Sequence, residues 1–343
     1  MVKRLVLFNP SGGVSNTMPI YNLGWSLAEK YRVLLVDADP KCDLTSLILR
    51  DDFDAHYSNE RTRRHNLKDG TSAAFVMDPL LIKPIDCPAA SRSSNLRVLA
   101  GHPNLSDCDL YLTLVQDAGD RLPSIQNTPG AFNRLIELSE RKYDIDITLI
   151  NLAAGLSAIN QNLFLHSDYF VVPITLDRFS WLALKKMKYT VSRWLQWKRN
   201  TFRELEDAIY ALRPGTPKFA GILFHQVDNR IGRTKAPAGH TIDDIKSVVL
   251  DDFFPHIRDR GMTLAPEQYS QRCHTNGYVL EEIVDFSGLL AKAIDVGIAP
   301  LALTDQDLED IRHHVPDGSA RRDLLRSQFQ NLTAALDALM EYA

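Results

Sequence analysis

The sequence predicts an α/β protein: a doubly wound, mostly parallel twisted sheet with helices on both faces. Short apolar runs recur along the chain, alternate with segments of helical period, and several of them stop at loops containing Gly, Asp or Pro. Unbroken apolar runs, rather than alternating ones, are what strands covered on both faces require.

Residues 5–8 form the first such run and end at a Gly-containing loop. Residues 19–30 carry Ile20, Leu23, Trp25, Leu27 and Ala28 at spacings that predict a helix. A second strand is expected over 32–36, running into Asp37-Ala38-Asp39-Pro40. Residues 51–94 are polar, basic around Arg61, Arg63 and Arg64, and broken by Pro79, Pro84 and Pro88; they read as an excursion with some helix and no core of its own. Further strands are expected over 96–100, 147–151, 169–174 and 219–226, and helices over 132–141, 182–210, 242–253 and 321–342. No linker separates two self-sufficient halves. The reading is one domain over 1–343, with a C-terminal helical region at about 304–343.

At 343 residues, with 45% hydrophobic and 24% charged residues, the composition is that of an ordinary globular chain. A formal net charge of -4 excludes a global attraction to nucleic acid or to an anionic membrane, so any such binding needs a local basic patch. Cys42, Cys87, Cys108 and Cys273 form no CxxC pair and point to neither a disulfide framework nor a zinc site. No stretch approaches the roughly 18 apolar residues of a membrane helix. The expectation is a cytoplasmic protein without membrane contact.

Open α/β sheets bind ligands at the carboxyl ends of their strands, which singles out the loops after Phe8, Val36 and Ile150. The first reads N-P-S-G-G-V-S-N-T-M over residues 9–18. Its glycines allow several N–H groups to point inward, and the following helix offers its N-terminus to an anion. A tight turn without a ligand would use the same residues.

The order strand, S-G-G-V-S-N-T, helix, V-L-L-V-D-A-D-P, then D-L-T resembles the start of the ParA/MinD-type ATPases, the P-loop proteins with a deviant Walker A loop. Those carry K-G-G-V-G-K-T-[T/S] followed by V-L-L-[I/V]-D-x-D-P-Q. The resemblance continues at I-T-L-I-N-L-A-A-G-L-S-A-I-N (147–160) and S-D-Y-F-V-V-P-I-T-L-D-R-F-S (167–180). It implies a P-loop NTPase fold, bound ATP and Mg2+, a homodimer, an adaptor protein and nonspecific DNA as partners. Residue by residue it assigns nucleotide contacts to Ser11, Gly12, Gly13, Val14, Ser15, Asn16, Thr17 and Met18, with Asn229 and Arg230 holding the base. It puts magnesium at Thr17, Asp37 and Asn151, and water positioning at Asp39. Asn160 and Gln161 fall where relatives make dimer and nucleotide contacts.

The departures from the family pattern concern chemistry. Asn16 stands in place of the P-loop lysine, Ser11 in place of the signature lysine, and Asn151 in place of the Walker B aspartate, while Ala153 and Ala154 replace small prolines. Asparagine brings no charge and is too short to span the phosphates. Hydrogen bonds to charged groups are worth about 1.5–3 kcal/mol each, so two lost lysines remove about 3–6 kcal/mol. That is roughly two to four decades of affinity, and phosphoryl transfer suffers further because it depends on positive charge at the equatorial oxygens. The expectation is weak nucleotide binding with hydrolysis weak or absent: a pseudo-ATPase acting as a binding or regulatory module. The alternative is an active partition or cargo-positioning ATPase with lysines from unusual positions, Lys41, Lys185 or Lys186. The other reading of Asp37 and Asp39 is a turn and helix-cap role beside Pro40.

Lys185, Lys186, Lys188, Lys198 and Arg199 cluster on one helical stretch with Trp181, Trp194 and Trp197. They are candidates for a DNA face through phosphate contacts, or a solvated helix face over core tryptophans. His313 and His314 near Asp305, Asp307, Glu309 and Asp310 read as a capped acidic helix rather than a metal site.

Overall fold

A computed structural model describes residues 2–11, 16–75, 81–118, 127–176, 178–203, 205, 208–227 and 241–341. The chain opens with β1 (Lys3–Leu7), α1 (Thr17–Ala28), β2 (Val33–Ala38) and α2 (Asp43–Leu49). The polar excursion then supplies α3 (Phe53–Ser58), α4 (Leu67–Thr71) and a two-residue strand, β3 (Ala89–Ala90). Next come β4 (Ser93–Leu99), α5 (Asp107–Ala118), α6 (Ala131–Lys142), β5 (Ile147–Leu152), α7 (Ala158–Leu165) and β6 (Tyr169–Ile174). After the long α8 (Arg178–Thr201) follow β7 (Lys218–Val227), α9 (Ile242–Val248), α10 (Phe254–Arg258), α11 (Gln271–Thr275) and β8 (Val279–Val284). The chain closes with α12 (Ser287–Val296), α13 (Asp305–Glu309) and α14 (Gly318–Met340).

The described strands form one sheet in the order β3-β4-β2-β5-β1-β6-β7-β8. All neighbours run parallel except the β3–β4 pair. From β1 the chain crosses to β2 and β4, returns through β5, and proceeds to β6 on the other side. The carboxyl ends of β1, β2 and β5 therefore converge where the winding reverses. The register Leu7↔Asn151 and Asp37↔Asn151 sets these ends in one row.

Side chains alternate along each strand, so the two faces of the sheet are covered by different helices. On one face Gly24 of α1 lies against Leu35 and Leu96, and α1 in turn packs on α14. On the other, Phe8 meets Phe164 of α7 and Trp194 of α8. On that second face the fully buried Arg4 donates to both carboxylate oxygens of Glu140 on α6, at 2.7 and 2.8 Å, and to Asn133 Oδ1 at 2.6 Å. Thr148 adds a hydroxyl donor to Glu140 at 2.8 Å.

Several elements differ from the sequence reading, each for a physical reason. β3 is a two-residue antiparallel edge, too short to leave a pattern. In β8 Glu281 and Glu282 interrupt the apolar run, as an edge strand with partly open flanks permits. The segment over 242–253 is helical, but the α-helix passes into a wider π turn at Val249–Phe253 before α10. Helix α8 stops at Thr201, short of 210. The excursion contributes Leu67, Ile82, Ile85 and Cys87 to the core shared with the rest of the fold.

Removing one partner of a buried ion pair leaves the other charge stranded, which costs about 3–5 kcal/mol. Glu140→Ala is expected to lower unfolding stability by that amount in urea titrations, because Arg4 has no exposure through which water could reach it.

Candidate nucleotide site

Asp37, the penultimate residue of β2, has no exposed surface, and both of its carboxylate oxygens are occupied. Oδ2 accepts from the Thr45 amide at 2.9 Å and the Thr45 hydroxyl at 2.7 Å. Oδ1 accepts from Asn151 Nδ2 at 3.1 Å and the Asp39 amide at 3.3 Å. Burial pushes the carboxyl's pKa up, more than the Thr45, Asn151 and Asp39 donors draw it down. Asp37 thus caps the start of α2, whose preceding residue Cys42 has left-handed backbone (φ 56°) and offers no side-chain cap. Thr45 Oγ1 also accepts from the Gly101 amide at 2.9 Å. A Cβ on Gly101 would lie 2.9 Å from the Asp37 carbonyl oxygen, so glycine is required for β4 to end this close. Asp39 is half-buried, and its carboxylate accepts from the Lys41 amide at 3.0 Å. The turn and cap roles read from the sequence are both realised.

Of the glycine-rich loop, Ser11, Asn16, Thr17 and Met18 are described; Gly12, Gly13, Val14 and Ser15 lie outside the described residues, as do Asn229 and Arg230. The Ser11 amide donates to Asn9 Oδ1 at 2.9 Å, and Asn9 Nδ2 donates to the Pro173 carbonyl at 2.7 Å. Asn16 is buried, with its Nδ2 donating to the Leu152 carbonyl at 3.1 Å. One of its two amide protons is therefore spent on the protein's own backbone. The Nδ2 of Asn151, besides its bond to Asp37, lies 3.5 Å from Thr17 Oγ1. Among the described residues, the buried side-chain oxygens of Asn16 and Asn151 have no hydrogen-bond partner.

This donor set does not fit a magnesium ion. Mg2+ takes oxygen ligands at about 2.0–2.1 Å and keeps several waters. Here an N–H group sits between Asp37 and Thr17, and every Asp37 lone-pair direction has a donor. Among the described residues no group of His, Cys, Asp or Glu is arranged to hold a metal.

The loop leaving β5 is tied down from α7. Asn160 Nδ2 donates to the carbonyls of Ala153 and Gly155 at 2.9 and 3.0 Å, and Asn160 and Gln161 are both buried. Beside Thr17 and Met18 opens a cleft of about 570 Å3 walled by Leu47, Arg50 and Ile294. Arg50 closes its far side by donating to the Asp295 carbonyl at 2.6 Å. Sequence reasoning missed Thr45 and Arg50 as site residues; the D-L-T after the aspartate pair was the signal for the first, and nothing local marked the second.

Two of the five cations read as a DNA face, Lys188 and Lys198, are withdrawn from the surface, and the reading is corrected for those two. Lys188 is buried and paired with Asp252, and Lys198 is buried with its ammonium donating to the Leu165 and Gly215 carbonyls at 2.6 and 2.9 Å. Lys185 lies over the Trp181 ring at 3.9 Å, and Arg199 donates to the Arg260 carbonyl at 2.7 Å. Lys186 and Arg199 remain exposed, as do Arg193 and Arg203. Trp194 is core, as one of the two sequence readings held. No helix among the described residues is long and apolar enough to cross a membrane.

A mostly parallel sheet with β1 between β5 and β6, and the loops after β1, β2 and β5 converging at the reversal, is the fold of a ParA-like P-loop ATPase. The chain belongs to the AAA domain family AAA_31, whose model matches residues 2–203. A virulence plasmid ParA family protein, pGP5-D of Chlamydia psittaci, is 28% identical over 192 residues, 54% of this chain and 62% of that relative. The match thus spans less than two thirds of the relative's length. Among solved structures, a protein from Corynebacterium diphtheriae superposes with a TM-score of 0.62 at 18% identity, covering 99% of each chain. An ATP complex of Cyanothece McdA gives 0.55 at 15% identity, covering 98% of this chain and 96% of that one. The pNOB8 ParA bound to nonspecific DNA gives 0.54 at 16% identity, covering 100% and 99%. These likenesses establish the fold.

Burial lowers the pKa of Lys198 from its ordinary 10.5 to about 8, so between those values the unfolded chain holds a proton that the folded one has released. Its contribution to stability therefore rises as pH climbs from about 8 toward 10.5, and is least below that window. Urea midpoints of wild type and Lys198→Met across this range are expected to shift in favour of wild type as pH rises. At neutral pH Lys198→Glu is expected to cost at least about 3 kcal/mol by burying an unpaired carboxylate. Lys186→Glu, on the exposed side, stays within about 0.5 kcal/mol.

Proposed function

We propose that this chain is a ParA-type protein whose site binds nucleotide weakly and hydrolyses ATP slowly or not at all, so that it works as a binding or regulatory module. The observation that carries this reading is the direction of two amides. Where the family places a phosphate-binding lysine and a magnesium-side aspartate, Asn16 and Asn151 spend their N–H groups on Leu152, Asp37 and Thr17. No positive charge from either position faces the γ-phosphate, and preorganised charge there is the main source of acceleration in phosphoryl transfer. On this reading the whole chain is one ParA-like unit, and a homodimer and an adaptor protein are its partners, by likeness to the family.

Lys41 supports a second reading, an active partition or positioning ATPase. It is exposed on the loop that carries Asp39 and is the cation nearest in sequence to the site's carboxylates. DNA binding, in either reading, falls to the exposed Lys186, Arg193, Arg199 and Arg203 rather than to the buried lysines.

Steady-state phosphate release, with and without duplex DNA, separates the two readings. The expected outcome is no turnover above the blank. Turnover that disappears in Asp39→Ala would sink the pseudo-ATPase reading. In titration calorimetry, Asn16→Lys combined with Asn151→Asp is expected to tighten magnesium-ATP binding at least about tenfold, since each restores a charged partner. Unchanged affinity would mean that the loop does not cradle phosphates.

A further inference from the structure

We infer that the Asn151 amide, standing in place of a metal-side aspartate, removes the need for a divalent cation beside Asp37, and that this site is built to hold together without magnesium. Asp37 and Asn151 are register partners on adjacent parallel strands, and neither has exposed surface. An aspartate at 151 would set a second carboxylate close to where Nδ2 now lies, 3.1 Å from Asp37 Oδ1. Two carboxylates that close, both shut off from water, need a counter-ion or a shared proton. The amide removes one of the charges and supplies a donor in its place. Asp37 then has two donors on each oxygen, from Thr45 on one and from Asn151 and Asp39 on the other.

The same amide opposes a cation. Its N–H groups face both Asp37 and the Thr17 hydroxyl, the two oxygens that would direct a magnesium ion's first and second shells. Turning the amide over would bring its oxygen against the Asp37 carboxylate and break the 3.1 Å bond. Asn16 follows the same logic, since its Nδ2 is held by the Leu152 carbonyl. The two positions where the family has a phosphate-binding lysine and a metal-side aspartate are thus occupied by neutral amides bonded within the protein.

This inference takes from the proposed function only the position of the metal. Its test reads nucleotide-free protein, so ATP turnover by the wild type would overturn that proposal and leave this one standing. Thermal unfolding of the full chain, wild type and Asn151→Asp, is followed in EDTA and in millimolar magnesium chloride, with ionic strength matched by potassium chloride. The wild-type midpoint is expected to be the same in both. Asn151→Asp is expected to melt roughly 5 °C lower in EDTA and to regain most of that loss with magnesium. A wild type that gains as much from magnesium as the variant, or a variant indifferent to magnesium, would overturn the inference. If Asn151→Asp yields no folded protein in EDTA, refolding yield is the readout. Recovery with magnesium supports the inference, and equal failure with and without the ion overturns it.

Discussion

The Asp37 carboxylate lies at the end of β2 with no contact to water and receives hydrogen bonds from Thr45, Asn151 and Asp39. Through those bonds it joins a strand to its neighbour β5, fixes the start of α2, and holds the turn that leads there. Thr45 passes the connection on to the end of β4 through the Gly101 amide. A seven-residue helix such as α2 is too short to be stable alone, so its position depends on this capping and on the apolar residues beneath it. A buried carboxylate with fewer donors would be costly enough to reshape the region. With all of them in place it sets where the loops after β1, β2 and β5 can meet.

On the proposed reading, the site keeps the skeleton of a phosphate site without its charges. Ser11, Asn16 and Asn151 are neutral at three positions where the family pattern has two lysines and an aspartate. Among the described residues, the buried oxygens of Asn16 and Asn151 have no partners. Packing alone does not favour such acceptors, because an unmet buried polar atom costs about 1–3 kcal/mol. The cleft beside Thr17 and Met18 is bordered by Asp43, Asp51 and Asp295 as well as Arg50.

Helix α8 illustrates how charge in a sequence differs from charge on a surface. Its lysines and arginines are spread around the helix, and two of the five named as a DNA face turn inward. A lysine can be buried where its stem packs on apolar neighbours and its ammonium finds carbonyls, as Lys198 finds Leu165 and Gly215. Lys188 instead reaches Asp252, sixty-four residues on in the chain. Neither partner is visible from the helix's own sequence.

The parallel α/β architecture, most strand and helix centres, and the positions where the family pattern loses its charges are all legible in the sequence. These are local properties: apolar runs, helical spacing, and the residue types at Ser11, Asn16, Asp37 and Asn151. Short or edge elements such as β3 and β8 left no such pattern and were legible only once their neighbours were in place. Tertiary structure alone decided what each polar group does, because a hydrogen bond depends on which partner the fold brings within about 3 Å. The register of β2 against β5 turned Asn151 onto Asp37, the proximity of β5 to α1 turned Asn16 onto Leu152, and the packing of α8 withdrew Lys188 and Lys198 from solvent.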